Sequence, residues 1–361
     1  MGRGSYHRSV TTSGETFRAE VAQHLQQFVA EHVAKLEVTD ADVSDWFATL
    51  ADFVSGGKRT RAELVLLGWR AGAGQDPAPI VSTGAAMEML QACALIHDDL
   101  IDRSDVRRGH PSVHRRMASA HTNRRWLGDP ELFGGAAAVL LGDLALCWSD
   151  ELFSSTRLTE AALGRARPVF EVMKSELVAG QYLDILVQAR GEADLDTALQ
   201  VAEYKSGHYS VRRPLEIGAR LATSDEAVIL GCERYGDEVG VAFQLRDDIL
   251  GVFGDPAVTG KPAGDDLREG KRTALVVQAL ELAAPRDAAR LEQALGSDAL
   301  SPDRIKELRH VIQDCGALDA VEAMIDDRVG VALDALAQAP IPEDVTRDLV
   351  AMATRLTSRA T

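Results

Sequence analysis

Residues 88–109 read EMLQACALIHDDLIDRSDVRRG, and this stretch decides what kind of fold the chain adopts. Its first half belongs to an apolar segment that is long enough for a buried helix, and its second half is acidic. Asp98 and Asp102 are four residues apart, so their carboxylates share one helix face and repel each other. A magnesium ion would offset this repulsion, because Mg²⁺ binds carboxylates together with substrate phosphates. An acidic helix end exposed to water is the alternative interpretation.

Other segments of the chain have helical patterns of the same kind. They cover 17–36, 40–54, 132–153, 161–187 and 225–252. Ser301 before Pro302 predicts the start of a later helix. We find no alternation typical of strands, no fixed-period repeat and no linker between domains. The sequence therefore predicts an all-α fold, with a flexible tail at 1–15 and a single helical domain at 16–361.

Glycine, proline and charged residues mark the breaks between these helices. Residues 103–111 form a polar break, and 119–129 form a polar insertion that we expect to be a surface loop. Residues 254–270, which contain several glycines and prolines, predict the longest loop of the chain.

Composition and charge argue against several classes of protein. Acidic residues outnumber basic residues by 55 to 39, and a net charge of −16 disfavours a nucleic-acid-binding protein. The four cysteines form no CxxC pair, so we expect neither disulfides nor structural zinc, and a reducing compartment is favoured. The start of the chain lacks a signal-peptide pattern, and no apolar run approaches the ~20 residues of a membrane span. We therefore expect a cytoplasmic protein without a transmembrane segment.

A second acidic pair follows a second long apolar segment. Asp247 and Asp248 lie in the sequence FQLRDDILG, at 243–251. One such pair is weak evidence, but two pairs at the ends of two apolar helices are stronger. If these helix ends converge, they form an acidic mouth over an apolar cavity. Such a site would suit a magnesium-bridged diphosphate that carries an apolar tail.

Basic residues cluster beside the breaks, although the chain as a whole is acidic. They are Lys58, Arg59 and Arg61 after a glycine pair, Arg107 and Arg108, Lys205, and Lys261 and Lys271 in the long loop. Cations beside glycines can reach phosphate oxygens without crowding. Taken singly, each is more typical of a solvated surface charge, but their position beside the acidic motifs favours phosphate binding.

Together these motifs resemble those of the trans-isoprenyl diphosphate synthases, also called polyprenyl synthetases. The resemblance runs in family order from residue 56 to residue 273. It is carried by GGKRTR (56–61), the 88–109 stretch, LLGDLAL (140–146), GQYLD (180–184), KSGHYS (205–210), FQLRDDILG (243–251) and GKPAGDDLREGKRT (260–273). It implies the isoprenoid synthase fold, a single large bundle of long helices around a deep central pocket, in a protein that usually forms a homodimer.

The resemblance also implies which residues bind magnesium and the two substrates. Two or three Mg²⁺ ions, replaceable by Mn²⁺, would be bound by Asp98, Asp99, Asp102, Asp247 and Asp248. Isopentenyl diphosphate would be bound by Lys58, Arg61, Gln91 and Arg108. The allylic diphosphate (dimethylallyl, geranyl or farnesyl) would be bound by Arg107, Lys205, Ser206, Gln244, Lys261 and Lys271. Gln181 and Asp184 match further active-site positions of the family.

One departure from the family pattern concerns the second acidic motif. Gly251 stands where the last aspartate of that motif usually lies, which weakens the outer part of the metal site. Asp255 and Asp265 are nearby carboxylates, but the sequence pattern assigns the role of the missing aspartate to neither of them.

The length of the product is predicted from residues one turn before Asp98. Relatives that stop at the C15 product often have an aromatic ring there, whereas this chain has the small residues Cys93 and Ala94. We therefore expect an all-trans linear product longer than C15, most like geranylgeranyl diphosphate. Farnesyl or longer-chain synthases are the nearest alternatives. A class I terpene cyclase and a non-catalytic partner subunit of a heteromeric synthase are weaker ones.

Overall fold

The computed structural model describes residues 13–37, 40–255, 264–297 and 300–358. Within these ranges the chain is almost entirely helical, so the predicted all-α fold is confirmed. The helices are α1 (Gly14–Lys35), α2 (Ala41–Ser55), α3 (Thr60–Ala71), α4 (Val81–Ile101), α5 (Val113–Arg124), α6 (Pro130–Ser154), α7 (Glu160–Arg190), α8 (Leu195–Val201), α9 (Arg213–Ala222), α10 (Glu226–Phe253), α11 (Asp265–Glu269), α12 (Ala274–Leu282), α13 (Pro285–Glu292), α14 (Pro302–Asp314), α15 (Ala317–Gln338) and α16 (Glu343–Thr357). A 3₁₀ turn precedes α4, and a π-helix (Ala202–Arg212) joins α8 to α9. Two short strands, β1 (Val106–Arg107) and β2 (His110–Pro111), pair antiparallel in the predicted polar break.

Side-chain caps fix where several helices begin. Ser301 accepts a hydrogen bond from the backbone of α14, which begins at Pro302, so the predicted helix start is confirmed. Ser13 caps α1 in the same way. These caps satisfy backbone donors that have no partner inside the helix. Helix α1 begins at Gly14, inside the predicted tail, and residues 1–12 of that tail lie outside the described residues.

Close helix packing brings the elements that carry the motifs together. Helix α4 packs against α1, α3 and α6, and it buries large apolar side chains such as Met87 and Ile96. Helices α3 and α9 cross through facing glycines. A Cβ at Gly68 would lie 2.0 Å from the Leu215 carbonyl oxygen, and one at Gly218 would lie 2.1 Å from that of Val65. Larger residues at either glycine would force these two helices apart.

The π-helix is the main irregular segment of the bundle. It winds wider than an α-helix and packs against α7 and α10. Gly207 of the π-helix lies against the backbone of Gly240 in α10, where a Cβ would come within 3.0 Å of main-chain atoms. Such π-segments are frequent at functional sites because they change the direction in which side chains point.

The prediction of a surface loop at 119–129 is wrong for the first half of this segment, because α5 continues to Arg124. The inner face of this helix buries His121, whose ring packs against Trp126 and Phe133. On its outer face, Arg124 forms ion pairs with acidic residues of α2. These contacts compensate for the polar composition of the segment, so that only residues 125–129 connect α5 to α6.

Two helical segments are long and apolar enough to cross a membrane by length and composition alone, Ala78–Ile101 and Pro130–Ser154. The apolar window of the first is 67% buried inside the protein, as expected of a core helix. The second is 44% buried and exposes part of its apolar surface. Core helices of soluble proteins pass the same test, so these two segments are weak evidence for a membrane protein.

Candidate active site

The ends of α4 and α10 converge on one cavity of about 630 Å³, as the two acidic motifs predicted. Residues of α3, α7, α8, α11 and the π-helix also line it. The predicted site residues that line it are Lys58, Arg61, Gln91, Ala94, Asp98, Arg107, Arg108, Gln181, Asp184, Lys205, Ser206, Gln244, Asp247, Asp248 and Lys271. Asp99, Asp102 and Cys93 do not line it, and Lys261 lies outside the described residues.

Asp98 forms the centre of an ion-pair group on the α4 side of the cavity. The Lys205 ammonium lies 3.1 Å from Asp98 Oδ1 and 2.6 Å from Asp184 Oδ2. Burial alone would lower the pKa of Lys205, but the Asp98 and Asp184 carboxylates outweigh it and raise this pKa. Lys205 is therefore a fixed cation between two carboxylates, placed where it can bind an anionic substrate.

Asp99 points away from the cavity, although the resemblance implies it as a metal ligand. Its side chain is 0% exposed, and Arg107 Nε donates a 2.8 Å hydrogen bond to Asp99 Oδ1. Adjacent residues on an α-helix are turned by about 100°, so Asp98 and Asp99 cannot share one face. In this structure Asp99 holds the Arg107 guanidinium at the edge of the cavity.

Lys271 lies between a carboxylate of the first acidic motif and the carboxylates of α11. Its ammonium lies 2.8 Å from Asp102 Oδ2, and it also contacts Glu269 and lies 3.9 Å from Asp266 Oδ1. Burial alone would lower the pKa of Lys271, but the Asp266, Asp102 and Glu269 carboxylates raise it well above its ordinary value. Asp102 therefore contacts the cavity through Lys271 rather than lining it directly.

Carboxylates are crowded on the α10 side of the cavity. Asp248 is buried and accepts a 2.7 Å hydrogen bond from Gln244 Nε2. Burial and the nearby Asp266 and Asp247 carboxylates raise the pKa of Asp248 to about 8. A divalent cation would relieve this repulsion.

The donor set fits Mg²⁺ rather than a metal that needs a complete protein cage. Among the described residues, no group of three or more His, Cys, Asp or Glu side chains is arranged to hold a metal ion. Magnesium needs no such group, because it usually binds one or two carboxylates and takes its other ligands from water and substrate phosphates. Asp98 at the end of α4 and Asp247 near the end of α10 are two of the carboxylates that line the cavity.

Gly251 is explained by a carboxylate from another element. A Cβ at Gly251 would lie 1.9 Å from Asp266 Oδ2, so the Asp266 carboxylate occupies the space next to α10. The carboxylate beside Gly251 is Asp266, and Asp265, one of the two carboxylates considered from the sequence, lines the same cavity. The short helix α11 brings Asp266 there, and local sequence pattern does not show that approach.

We expect Gly251→Asp, which restores the usual family residue, to destabilise the protein. The new side chain would overlap the Asp266 carboxylate, and such overpacking costs about 1–3 kcal/mol. Thermal unfolding should show a lower midpoint for Gly251→Asp and recovery in the Gly251→Asp/Asp266→Gly double variant. Gly330→Asp is the control, because a Cβ at that helical glycine meets nothing within 4 Å. Equal midpoints for Gly251→Asp and the control would contradict this explanation.

Three cations that line the cavity have no ion-pair partner among the described carboxylates. No described carboxylate lies within the 4 Å ion-pair limit of Lys58, Arg61 or Arg108, although the other cavity cations are paired. Burial and the neighbouring Arg107 and Arg59 lower the pKa of Arg108. Such a group of like charges favours binding of a polyanion.

Tyr209 and Ser210 line the cavity but were missed by the sequence analysis. The Arg61 guanidinium lies 4.1 Å from the centre of the Tyr209 ring and 2.5 Å from Ser210 Oγ. A signal was present, because residues 205, 206, 209 and 210 have the spacing of one helix face. All four belong to the KSGHYS motif that the resemblance already included.

The structure distinguishes between the two residues predicted to control product length. Ala94 lines the cavity one turn before Asp98, on the same face of α4. Cys93 faces the core instead, with its Sγ 3.8 Å from His97 Nδ1. Burial raises the pKa of the Cys93 thiol to about 12. The prediction that Cys93 lies on the pocket wall is therefore not supported by its position, because i−4 shares the Asp98 face and i−5 does not.

Comparisons with known protein families, sequences and structures give several matches. The model of the polyprenyl synthetase family matches residues 44–312. A geranylfarnesyl diphosphate synthase of Aeropyrum pernix is 32% identical over 307 residues, which cover 84% of this chain and 90% of the relative. A (2E,6E)-farnesyl diphosphate synthase of Mycobacterium tuberculosis is 28% identical over 359 residues, which cover 99% and 92%. A Corynebacterium glutamicum geranylgeranyl pyrophosphate synthase, solved in complex with isoprenyl diphosphate and magnesium, has a TM-score of 0.93 and 38% identity, with 97% of this chain and 100% of that chain covered.

Proposed function

The chain belongs to the polyprenyl synthetase family and is a trans-prenyltransferase, and from this premise we propose that it makes geranylgeranyl diphosphate. The substrates of this proposal are isopentenyl diphosphate and an allylic diphosphate, joined head to tail. The observation that carries it is one cavity that is lined both by cations paired with carboxylates and by the cations Lys58, Arg61 and Arg108, which have no ion-pair partner among the described residues. Such a cavity has room for two diphosphates with different partners.

The cavity residues would divide the work of the reaction as follows. Arg107, Lys205 and Lys271 hold the allylic diphosphate. Their positive charges stabilise the negative charge that develops on pyrophosphate as it leaves, and this favours cleavage of the allylic C–O bond. Asp98 and Asp247 would hold magnesium, which when bound would supply a Lewis acid for the charge on this leaving group. The double bond of isopentenyl diphosphate attacks the allylic carbon, and a proton then leaves to the pyrophosphate. No side-chain nucleophile is needed.

The second diphosphate would be held by Lys58, Arg61 and Arg108. Their role separates a synthase from a terpene cyclase, which binds a single diphosphate and has no use for them. A non-catalytic partner subunit is disfavoured because Asp98 and Asp247 both face the cavity. Apolar side chains at Leu177 and Phe243 cover part of its wall and would exclude water from the allylic cation.

The proposal is tested by incubating the purified protein with labelled isopentenyl diphosphate and each allylic primer. Chromatography of the dephosphorylated products should show mainly geranylgeraniol when magnesium is present. Omission of magnesium with excess chelator should abolish product formation, and manganese should restore part of it. A wild-type protein that stops at the C15 product would refute the proposed chain length. The names of the relatives include farnesyl, geranylgeranyl and geranylfarnesyl synthases, so this measurement is needed.

We expect Ala94→Phe to shorten the product. An aromatic ring at this position would fill the cavity one turn before Asp98, so the growing tail would meet it after fewer condensations. The product distribution should move from C20 towards C15, and Ala94→Val, which adds two methyl groups, should move it less. If Ala94→Phe left the distribution of product lengths unchanged, the prediction would be wrong, and other residues would form the floor of the pocket.

We further propose that the protein is a homodimer joined through α6 and α7. These helices expose large apolar side chains to solvent: Leu132, Val139 and Leu140 on α6, and Val172, Val178 and Tyr182 on α7. Leu140 is 60% exposed and Val178 is 67% exposed, which is unfavourable unless a second copy covers them. Sedimentation should give twice the 38.9 kDa chain mass, and Leu140→Asp/Val178→Asp should dissociate it. A wild-type monomer at all concentrations would contradict this proposal.

The four cysteines are free thiols, which suits the reducing cytoplasm that we propose as the location of this enzyme.

A further inference from the structure

Tyr209 is a buried polar side chain to which the proposed reaction gives no part. The π-helix turns it into the cavity, where it is 6% exposed and lies between Arg61 and Gln91. Its ring face stacks on the Arg61 guanidinium at 4.1 Å, and its hydroxyl donates a hydrogen bond to Gln91 Oε1. Tyr209 thus contacts two of the residues expected to bind isopentenyl diphosphate.

The hydrogen bond to Gln91 decides which end of its amide faces the cavity. A carboxamide has an acceptor end and a donor end, and a donor is needed to bind a diphosphate. Because the Tyr209 hydroxyl occupies Gln91 Oε1, the amide NH₂ group is left for the anion. Without the hydroxyl, the amide could rotate and present its oxygen, which repels phosphate oxygens.

The stacking of the Tyr209 ring on Arg61 also favours binding of the diphosphate. An arginine side chain loses considerable rotamer freedom when it binds an anion. The Tyr209 ring and Ser210 Oγ hold the Arg61 guanidinium in one place before the substrate arrives. Binding then costs less conformational entropy.

We propose that Tyr209 is a positioning residue that orients Arg61 and Gln91 towards the diphosphate of isopentenyl diphosphate. It does not exchange protons with the substrate. Burial raises the pKa of Tyr209 to about 12, so its hydroxyl remains a donor throughout the working pH range. The inference rests on the proposed function, because it assumes that isopentenyl diphosphate is the anion bound by Arg61.

Calorimetric binding of isopentenyl diphosphate, without an allylic primer, measures this role apart from turnover. Tyr209→Phe keeps the stack and loses the hydrogen bond, so the dissociation constant should rise about three- to tenfold. Tyr209→Leu loses both and should weaken binding further. Tyr204→Phe is the control, because this tyrosine of the same π-helix does not line the cavity, and its dissociation constant should equal that of the wild type.

A double-mutant cycle with Gln91 tests the orientation of the amide. In a Gln91→Ala background, Tyr209→Phe should have no further effect on binding, because the group that it orients is gone. In turnover, Tyr209→Phe should raise the KM for isopentenyl diphosphate and leave the KM for the allylic substrate unchanged. An equal loss in both backgrounds, or a rise only in the allylic KM, would overturn the inference. A wild-type protein that binds no isopentenyl diphosphate would instead overturn the proposed function.

Discussion

Asp98→Asn is expected to lower turnover by about a hundredfold to a thousandfold or more, while the circular dichroism of the helices stays unchanged. Asn has almost the same volume as Asp but carries no charge. The Asp98 carboxylate lines the cavity beside Lys205 and Arg107, where it would bind magnesium and balance both cations. The substitution therefore leaves only a neutral amide oxygen, a much weaker ligand for Mg²⁺, at this point on the α4 side of the site.

Asp326→Asn is the matched control for this loss. Asp326 is an exposed carboxylate of α15 and does not line the cavity, so its replacement should leave turnover unchanged. If Asp98→Asn kept the turnover and magnesium dependence of the wild type, the assignment of this carboxylate to the metal would be wrong.

Lys205→Ala is expected to have the second-largest effect. It removes a charge-assisted contact to the allylic diphosphate, which is worth about 1.5–3 kcal/mol, and leaves Asp98 and Asp184 without their shared cation. These pairs are partly buried, so the loss of their cation should also lower the stability of the protein. We therefore expect a lower unfolding midpoint together with a rise of about tenfold or more in the allylic KM.

Lys205→Arg and Lys306→Ala separate the two consequences. Lys205→Arg keeps the positive charge, so it should recover most of the stability but less of the allylic affinity, because the larger fork does not fit the same contacts. Lys306 is an exposed lysine of α14, and Lys306→Ala should change neither quantity. A Lys205→Ala protein with normal stability and normal allylic KM would contradict the ion-pair account of the cavity.

The fold was predictable because its main signals are local. The apolar first half of 88–109 lies in α4, the apolar segment at 225–252 corresponds to α10, and Ser301 caps α14 where the pattern indicated. The prediction at 119–129 was wrong because the helix there depends on tertiary contacts rather than on local signals. There the helix is stabilised by contacts with α2 and by aromatic packing around His121, which no local propensity encodes.

The types of residue in the site could be predicted from the sequence, but the direction in which each side chain points was predicted less well. Helical geometry alone could have separated Asp98 from Asp99 and Ala94 from Cys93, because neighbours on a helix do not share a face. The approach of Asp266 to Gly251 depends on tertiary packing of α11 against α10, and no sequence spacing reports it. Tyr209 lay inside a recognised motif but required the π-helix and its two partners to acquire a role.

The stoichiometry of pyrophosphate release tests the central claim most directly, namely that one cavity holds two diphosphates and joins their prenyl groups. Purified protein, magnesium, geranyl diphosphate and labelled isopentenyl diphosphate would be combined, and released pyrophosphate and incorporated label would be counted together. We predict one pyrophosphate for each labelled unit incorporated, all of it in linear prenyl diphosphate. Pyrophosphate release without incorporation of label would show a cyclase or a hydrolase and would contradict the account.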